Sequence, residues 1–266
     1  MSVNAWGFEQ IFNVMRFPAG ETHIEAKMTP VSGDLIIAPS VRNFEDLANV
    51  VMAERILNHN GSKGKWFIPY FPFARMDRRR HHRDGLEIKL AMEMMHGIDL
   101  TILDPHSDVA GALPYISQGS VVAQWMKNGL LDKPSPLFVI PDQGATKKAL
   151  TWLNGREYVQ ASKTRDVHTG KLSGFDIGPR RTAVTDRHCI IVDDICDGGA
   201  TFIGLAEKLH EYGARSLTLA VAHGLFTQGL DSLNKQFDRI FSTGVHQQDK
   251  VIRVKYADIY WGSGTV

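Results

Sequence analysis

Short apolar runs punctuate the chain at DLIIA (34–38), KWFIPY (65–70), DLTILD (99–104), LFVIPD (137–142), HCIIVDD (188–194) and SLTLAVAH (216–223). Runs of this length, bounded by charged or turn-forming residues, predict buried β-strands. Between them, Phe44, Leu47, Val51 and Leu57, and later Phe202, Leu205, Leu209 and Tyr212, recur at helical spacing with polar residues interposed. Strands alternating with amphipathic helices predict an α/β fold of mainly parallel sheets flanked by helices. The segment LLDKPSPL (130–137) carries two prolines between a helical stretch and a new strand, which divides the chain into domains 1–132 and 133–266. From Ser162 to Arg181 the chain is polar and without period, and it predicts a long mobile loop of the functional kind.

Composition removes several classes of partner. Among 266 residues, 30 basic side chains balance 29 acidic ones to a formal charge of +1, so the surface as a whole does not favour nucleic acid or anionic lipid. Anion binding has to be local. The first residues, MSVNAWGFEQ, do not read as a secretory signal, and no apolar run reaches membrane-spanning length. The two cysteines, Cys189 and Cys196, have neither disulfide-framework nor metal-site spacing and fit reduced thiols in a cytoplasmic protein.

The strongest chemical signal is IIVDDICDGGATF. It places Asp193 and Asp194 at the carboxyl end of a buried strand, followed by a glycine turn and a helix starting near Thr201. That edge of an open α/β sheet is where ligands sit. Gly198 and Gly199 permit a tight turn that presents N–H groups, and the helix start adds partial positive charge, so a phosphate fits without a lysine. The adjacent carboxylates call for hydroxyl donors or a hydrated magnesium ion. A sugar phosphate satisfies both halves, whereas a Walker loop is missing from the sequence.

The segment VDDICDGGAT (192–201) resembles the phosphoribosyl diphosphate (PRPP) motif of type I phosphoribosyltransferases. With the rest of the chain from about Phe17, it resembles the ribose-phosphate diphosphokinases, or PRPP synthetases. The resemblance implies two phosphoribosyltransferase-like domains, a nucleotide side in 1–132 and a ribose-phosphate side in 133–266. It also implies that Asp193 and Asp194 hold ribose hydroxyls while Asp197, Gly198, Gly199, Ala200 and Thr201 hold the 5-phosphate.

Further segments extend it. IPYFPFARMDRRR (68–80) is similar to the family's nucleotide-binding segment, with Arg75 and Asp77 matching and Met76 standing where the family has glutamine; read alone, the basic run from Arg75 to Arg83 is equally a solvated face. MRFPAGETHI (15–24) brings Phe17 and Glu21 to positions that contact the nucleotide of a neighbouring subunit, although Ala19 departs from the pattern. LDPHSDV (103–109) places His106 toward the magnesium of the nucleotide. VIPDQGATKKA (139–149) makes Asp142 a ribose or metal ligand, with Gln143 and Ala145 or Thr146 departing from the family. SKTRD (162–166) resembles the catalytic flexible loop, with Lys163 and Arg165 as the closing cations.

The implied activity is magnesium-dependent transfer of the β,γ-diphosphate of ATP to the anomeric C1 hydroxyl of ribose 5-phosphate, giving PRPP and AMP, in a homo-oligomer, dimer or hexamer. Three readings compete. The altered phosphate loop and the short chain leave room for a larger acceptor such as ADP-ribose. A PRPP-consuming transferase would share VDDICDGGAT but has no need of the ARMDRRR, DPHSD and GETHI segments. A silent regulatory or binding subunit would not need Lys163, Arg165, His106 and Asp142. Cys196 beside the acids reads as a small packing residue rather than a nucleophile, since no histidine partner is indicated.

Overall fold

A computed structural model of the chain describes residues 4–38, 41–79, 81–165, 172–243 and 251–262. It resolves into two compact units, one running to Ser117 and the other starting at Gln118. The break precedes by one helix the proline-bearing segment that marks it in the sequence, and the cause lies in that helix's packing.

In the first unit, β1 (Ala5–Gly7) leads through a single helical turn, α1 (Phe8–Ile11), into an antiparallel hairpin of β2 (Phe12–Arg16) and β3 (Thr22–Ala26). Strand β4 (Leu35–Ile37), helices α2 (Phe44–His59) and α3 (Glu87–Met94), and strands β5 (Lys65–Ile68), β6 (Leu100–Leu103) and β7 (Tyr115–Ile116) complete it. The sheet is parallel throughout, in the order β1-β4-β5-β6-β7. The three apolar runs expected here as strands become β4, β5 and β6. Helix α2 is capped by the Asn43 side chain, which accepts from the Asp46 N–H at 2.9 Å, and it lays Leu47, Val50, Ala53 and Leu57 onto a core with Trp66 and Ile68. Glu54 is also buried on that face, and its carboxylate accepts from the Trp66 indole (2.8 Å), the Gly64 N–H and the Asn58 amide.

The second unit opens with α4 (Gln118–Lys127), then β8 (Pro136–Ile140), α5 (Gln143–Leu153) and β9 (Tyr158–Gln160). It continues through β10 (Ser162–Arg165), β11 (Leu172–Asp176), β12 (His188–Cys196), α6 (Ala200–Glu211), β13 (Ser216–Gly224), α7 (Asp231–Gln236), β14 (Arg239–Thr243), β15 (Val251–Val254) and α8 (Tyr256–Gly262). Buried Gln118 of α4 accepts from the Trp152 indole of α5 at 2.8 Å, and the Arg239 guanidinium of β14 donates to the carbonyls of Gly129 and Leu130 just after α4. These bonds make α4 part of the second unit.

Strand order in the second sheet is β15-β14-β13-β12-β8-β9, again all parallel. The chain moves from β8 outward to β9, then returns to lay β12 on the other side of β8 and continues away from it. The reversal creates a switch point between β8 and β12, and a crevice opens there outside the strands' carboxyl ends. Strand β12, paired on both sides and covered on both faces, is nearly all apolar up to Val192, as a parallel interior strand requires.

The stretch 162–181, expected as a loop without regular structure, contains the antiparallel pair β10/β11 and a 3-10 turn over Gly178–Ala183. Its alternation is too short to register as a period, and one buried ring, Phe175, anchors it. Among the described residues, no helix is long and apolar enough to cross a membrane.

His188 begins β12 in a dry environment, 1% exposed, with Nδ1 2.7 Å from the Ser216 hydroxyl and Nε2 3.2 Å from that of Thr218. Burial, aided by the charges of Lys133 and Arg239, lowers its pKa to about 4. The neutral ring therefore contributes stability that is fully present above the unfolded-state value near 6.5 and is lost as pH falls through about 4. The shift corresponds to about 3 kcal/mol at most. Urea unfolding at pH 7 and pH 4 is expected to show a stability loss in the wild type that shrinks by about that amount in His188→Gln.

Candidate functional site

Strands β8 and β12 pair side by side, and each brings acid to the carboxyl edge: Asp142 just after β8, and Asp193 and Asp194 in the stretch of β12 beyond the end of β8. After β8, Asp142 caps α5, its carboxylate accepting from the Ala145 N–H at 3.0 Å, while Thr146 returns a hydrogen bond to the Asp142 carbonyl. Near the end of β12, Asp193 is half-buried and Asp194 is buried, 8% exposed. Burial, followed by the charges of Asp194 and then Asp142, pushes the Asp193 carboxyl well above the usual carboxylate range. Two groups oppose the shift: the Asp194 N–H donates to Asp193 at 2.9 Å, and the Lys148 ammonium on α5 lies 3.4 Å from Asp194. Lys148 is a site residue that the sequence did not single out, since it is 46 positions from its carboxylate and looks like one of two ordinary helix lysines.

The glycine turn follows directly. Gly199 has φ +84°, a left-handed conformation that favours glycine, and it sits at the N-cap of α6, leaving the first N–H groups of that helix directed out of its end. Gly198 is a different case. Its backbone has no positive φ; a Cβ there would lie 3.2 Å from Cγ of Gln228. Its smallness answers a neighbouring loop rather than its own dihedrals, a distinction that the sequence did not carry.

That loop follows β13. The N–H groups of Leu225 and Phe226 donate to the Cys196 carbonyl at 2.9 and 3.2 Å, the Thr227 N–H donates to the Asp197 carbonyl at 3.0 Å, and the Thr227 hydroxyl donates to the Asp197 carboxylate at 2.8 Å. Asp197 is thus committed to holding the turn's shape. Cys196 is fully buried, its thiol pushed up to about 12 by burial, so it packs rather than attacks.

The backbone of Lys163 and Arg165 lies in β10, with Lys163 opposite Phe175 of β11; their side chains lie outside what the structure describes. Phe175 is buried against α6, where a Cβ on Gly204 would meet its ring at 3.1 Å. The hairpin that carries the two cations is thereby seated on the helix that begins at the glycine turn.

In the first unit, the loops after β5 and β6 meet. The Ser107 hydroxyl donates to Asp77 at 2.7 Å, and this bond, followed by the neighbouring Arg78 guanidinium at 3.1 Å, lowers the Asp77 pKa. His106 precedes Ser107 and is exposed, as are Arg75 and Met76, so Arg75, Asp77 and His106 share the carboxyl edge of this sheet. Phe17 and Glu21 lie elsewhere, on the turn of the β2/β3 hairpin, where the Phe17 N–H donates to the Glu21 carbonyl at 2.8 Å. The Phe17 ring is 54% exposed and approaches only its hairpin neighbour His23, at 6.4 Å between centroids. Among the described residues, no three His, Cys, Asp or Glu side chains converge as a metal cage.

The two glycines should respond differently to alanine. Gly199→Ala is expected to destabilise the chain by about 1–2 kcal/mol, because the left-handed backbone is strained by a Cβ. Gly198→Ala is expected to stay within about 0.5 kcal/mol of the wild type, because the exposed Gln228 chain can yield. Urea unfolding of both variants separates the two roles.

Residues 145–254 match the phosphoribosyl transferase domain family. A ribose-phosphate pyrophosphokinase from Sulfurisphaera tokodaii is 26% identical over 245 residues, covering 87% of this chain and 80% of that protein. One from Ureaplasma parvum serovar 3 is 31% identical over 225 residues, covering 79% of this chain and 67% of that protein. A crystal structure of phosphoribosylpyrophosphate synthetase from Mycobacterium smegmatis superposes with a TM-score of 0.77 over 97% of this chain and 96% of that one; at 18% identity this speaks for the fold. The likeness spans both units, and the chain belongs to the ribose-phosphate pyrophosphokinase, or PRPP synthetase, family.

Proposed function

We propose that this chain transfers the β,γ-diphosphate of ATP to the anomeric C1 hydroxyl of ribose 5-phosphate, giving PRPP and AMP. The observation that carries the reading is the acid pair Asp193 and Asp194 beside the Gly199-capped start of α6, on a chain whose relatives are named for this reaction. The 5-phosphate accepts from backbone N–H groups of the 197–201 turn and from the helix start, with the Thr201 hydroxyl as a further donor. The ribose hydroxyls donate to Asp193 and Asp194. Crowding of Asp193 by Asp194 and Asp142 leaves negative charge in excess at this edge, which hydroxyl donors and a cation relieve.

Asp142 offers the oxygen donor that magnesium prefers, and a diphosphate with water completes its shell, so an all-protein cage is not required. His106, in the first unit, is proposed to serve the magnesium of the nucleotide. Magnesium, when bound, offsets phosphate charge that otherwise repels the attacking oxygen. Arg75 pairs with phosphate oxygens, and Asp77, kept ionised by Ser107 and Arg78, accepts from the nucleotide. Met76 packs on the base. Lys163 and Arg165 close over the diphosphate and compensate the charge that builds during in-line transfer. Phe17 and Glu21 serve the nucleotide of a second copy, so the working form is at least a dimer, in the cytoplasm.

The protein is assayed with magnesium ATP and either ribose 5-phosphate or ADP-ribose, following AMP. Release with ribose 5-phosphate is expected; release with ADP-ribose alone, or with neither acceptor, refutes the reading. Lys163→Ala is expected to lower kcat by about 10³-fold while leaving ATP binding nearly intact. Normal turnover in that variant would remove the loop from the mechanism.

A further inference from the structure

We infer that Thr227, on the loop after β13, is a positioning residue for the acceptor's 5-phosphate: its hydroxyl holds the Asp197 carboxylate to that loop and so leaves the start of α6 open to the anion. This rests on the activity proposed above, and it concerns a residue that acts through another rather than on the substrate itself.

The chain contains its own comparison. Asp142, just after β8, caps α5, and its carboxylate accepts from the Ala145 N–H at 3.0 Å. An acid at the end of a strand there occupies the start of the helix that follows, as the partial positive charge of a helix start favours. Asp197 comes directly after β12 and shortly before the N-cap of α6. Its carboxylate is engaged elsewhere, accepting from the Thr227 hydroxyl at 2.8 Å. The N-cap itself is Gly199, which has no side chain to offer. The N–H groups of Phe202 and Ile203 donate to the Gly199 carbonyl at 3.0 Å, so those of Ala200 and Thr201 are the first that a phosphate meets.

The difficulty is electrostatic. The turn has to bind a doubly charged anion while carrying a carboxylate of its own just ahead of the helix. Swung toward α6, that carboxylate would compete for the same N–H groups and repel the phosphate. Held by Thr227, it does neither. A hydroxyl suits the task, since it donates to the carboxylate without bringing a positive charge that would draw the phosphate off the turn.

Thr227 can hold Asp197 only if its own place is fixed, and the loop fixes it. The Thr227 N–H donates to the Asp197 carbonyl at 3.0 Å, so backbone and hydroxyl grip one residue at two points. Just before it, the N–H groups of Leu225 and Phe226 donate to the Cys196 carbonyl, and Phe226 adopts φ +46°, a left-handed value unusual for a residue with a side chain. Just after it, the Gly229 N–H donates to the Phe226 carbonyl at 2.8 Å and closes the loop around Thr227. Buried Leu230 and Leu233 anchor the far side. Because these bonds are made by backbone and by other side chains, loss of the Thr227 hydroxyl alone frees the carboxylate without releasing the loop.

The test compares wild type, Thr227→Val and Thr227→Ser by steady-state kinetics with ATP and ribose 5-phosphate, by calorimetric titration with ribose 5-phosphate alone and by urea unfolding; Thr227→Val is also made in an Asp197→Ala background. Valine keeps the shape and the backbone bond and removes the donor. Thr227→Val is expected to raise KM and Kd for ribose 5-phosphate about tenfold, the size of a hydrogen bond to a charged group, with kcat and the KM for ATP within about twofold of wild type. Thr227→Ser, which keeps the hydroxyl, is expected to hold both acceptor constants within about twofold of wild type. In Asp197→Ala, where there is no carboxylate to release, Thr227→Val is expected to change Kd by less than about twofold, which the titration reads even where turnover is lost. Three results overturn the role of Thr227: acceptor constants of Thr227→Val equal to wild type, the same rise with and without the Asp197 carboxylate, or a matching rise in the KM for ATP with a lower urea midpoint, which marks general damage. A wild type that binds ribose 5-phosphate and releases AMP with it, beside a Thr227→Val that equals it, leaves the proposed activity standing and removes only Thr227; a wild type that does neither removes both.

Discussion

Parallel strands β8 and β12 lie side by side; Asp142 follows the end of β8, and Asp193 and Asp194 lie in the part of β12 that runs on past it. Asp193 bears the consequence: burial first, and then the charges of Asp194 and Asp142, raise the cost of ionising it. The arrangement persists because it is compensated. The Lys148 ammonium approaches Asp194, the Ala145 N–H caps Asp142, and the Asp194 N–H donates to Asp193. Electrostatic tension of this kind is what hydroxyl donors or a hard cation relieve, so the edge is poised for a sugar and a metal rather than for a bare anion.

The anion's place is a few residues on, and it is built from backbone. A helix start offers N–H groups only if the preceding turn leaves them uncovered, and Gly199 does so by its left-handed conformation. The loop after β13 then fixes the turn from behind, through bonds to the carbonyls of Cys196 and Asp197 and to the Asp197 side chain. Rigid backbone donors do not reorganise when a phosphate arrives, which is the physical advantage of a turn over long cationic side chains. The cations proposed to complete the chemistry, Lys163 and Arg165, belong to the β10/β11 hairpin, which is seated on α6 through Phe175 and Gly204.

The first unit follows the same plan with different chemistry. Its strand order never reverses, and a bond between loops, from Ser107 to Asp77, ties its polar edge where Arg75 and His106 lie. The β2/β3 hairpin exposes Val14, Met15 and Phe17, and Arg16 and Thr22 at its turn bond to Glu45 at the start of α2. The packing of α4 on α5 explains why the unit boundary precedes the proline-bearing segment: a helix belongs with the surface that buries its apolar face, whatever the composition of the linker after it.

Much of this was legible in the chain. The buried strands β4, β5, β6, β8, β12 and β13 appear as apolar runs because a parallel strand covered on both faces tolerates little else. The acid pair, glycine turn and helix start are contiguous in sequence, so local chemistry sufficed to read them. The β2/β3 hairpin was not legible, since each strand is five residues long and mostly turned to solvent, so its alternation is too brief to stand out, and β14 and β15 are short and mixed in character. Lys148, Thr227 and Gln228 were equally hidden, each acting on a residue some thirty or more positions away. Sequence by itself determined which residues end the strands and where the backbone can turn, because these are properties of neighbours along the chain. Only the tertiary structure decided which strands share a crevice, which cation offsets which carboxylate, and which loop stands beside Gly198, because these depend on segments that meet only after the sheet reverses its order.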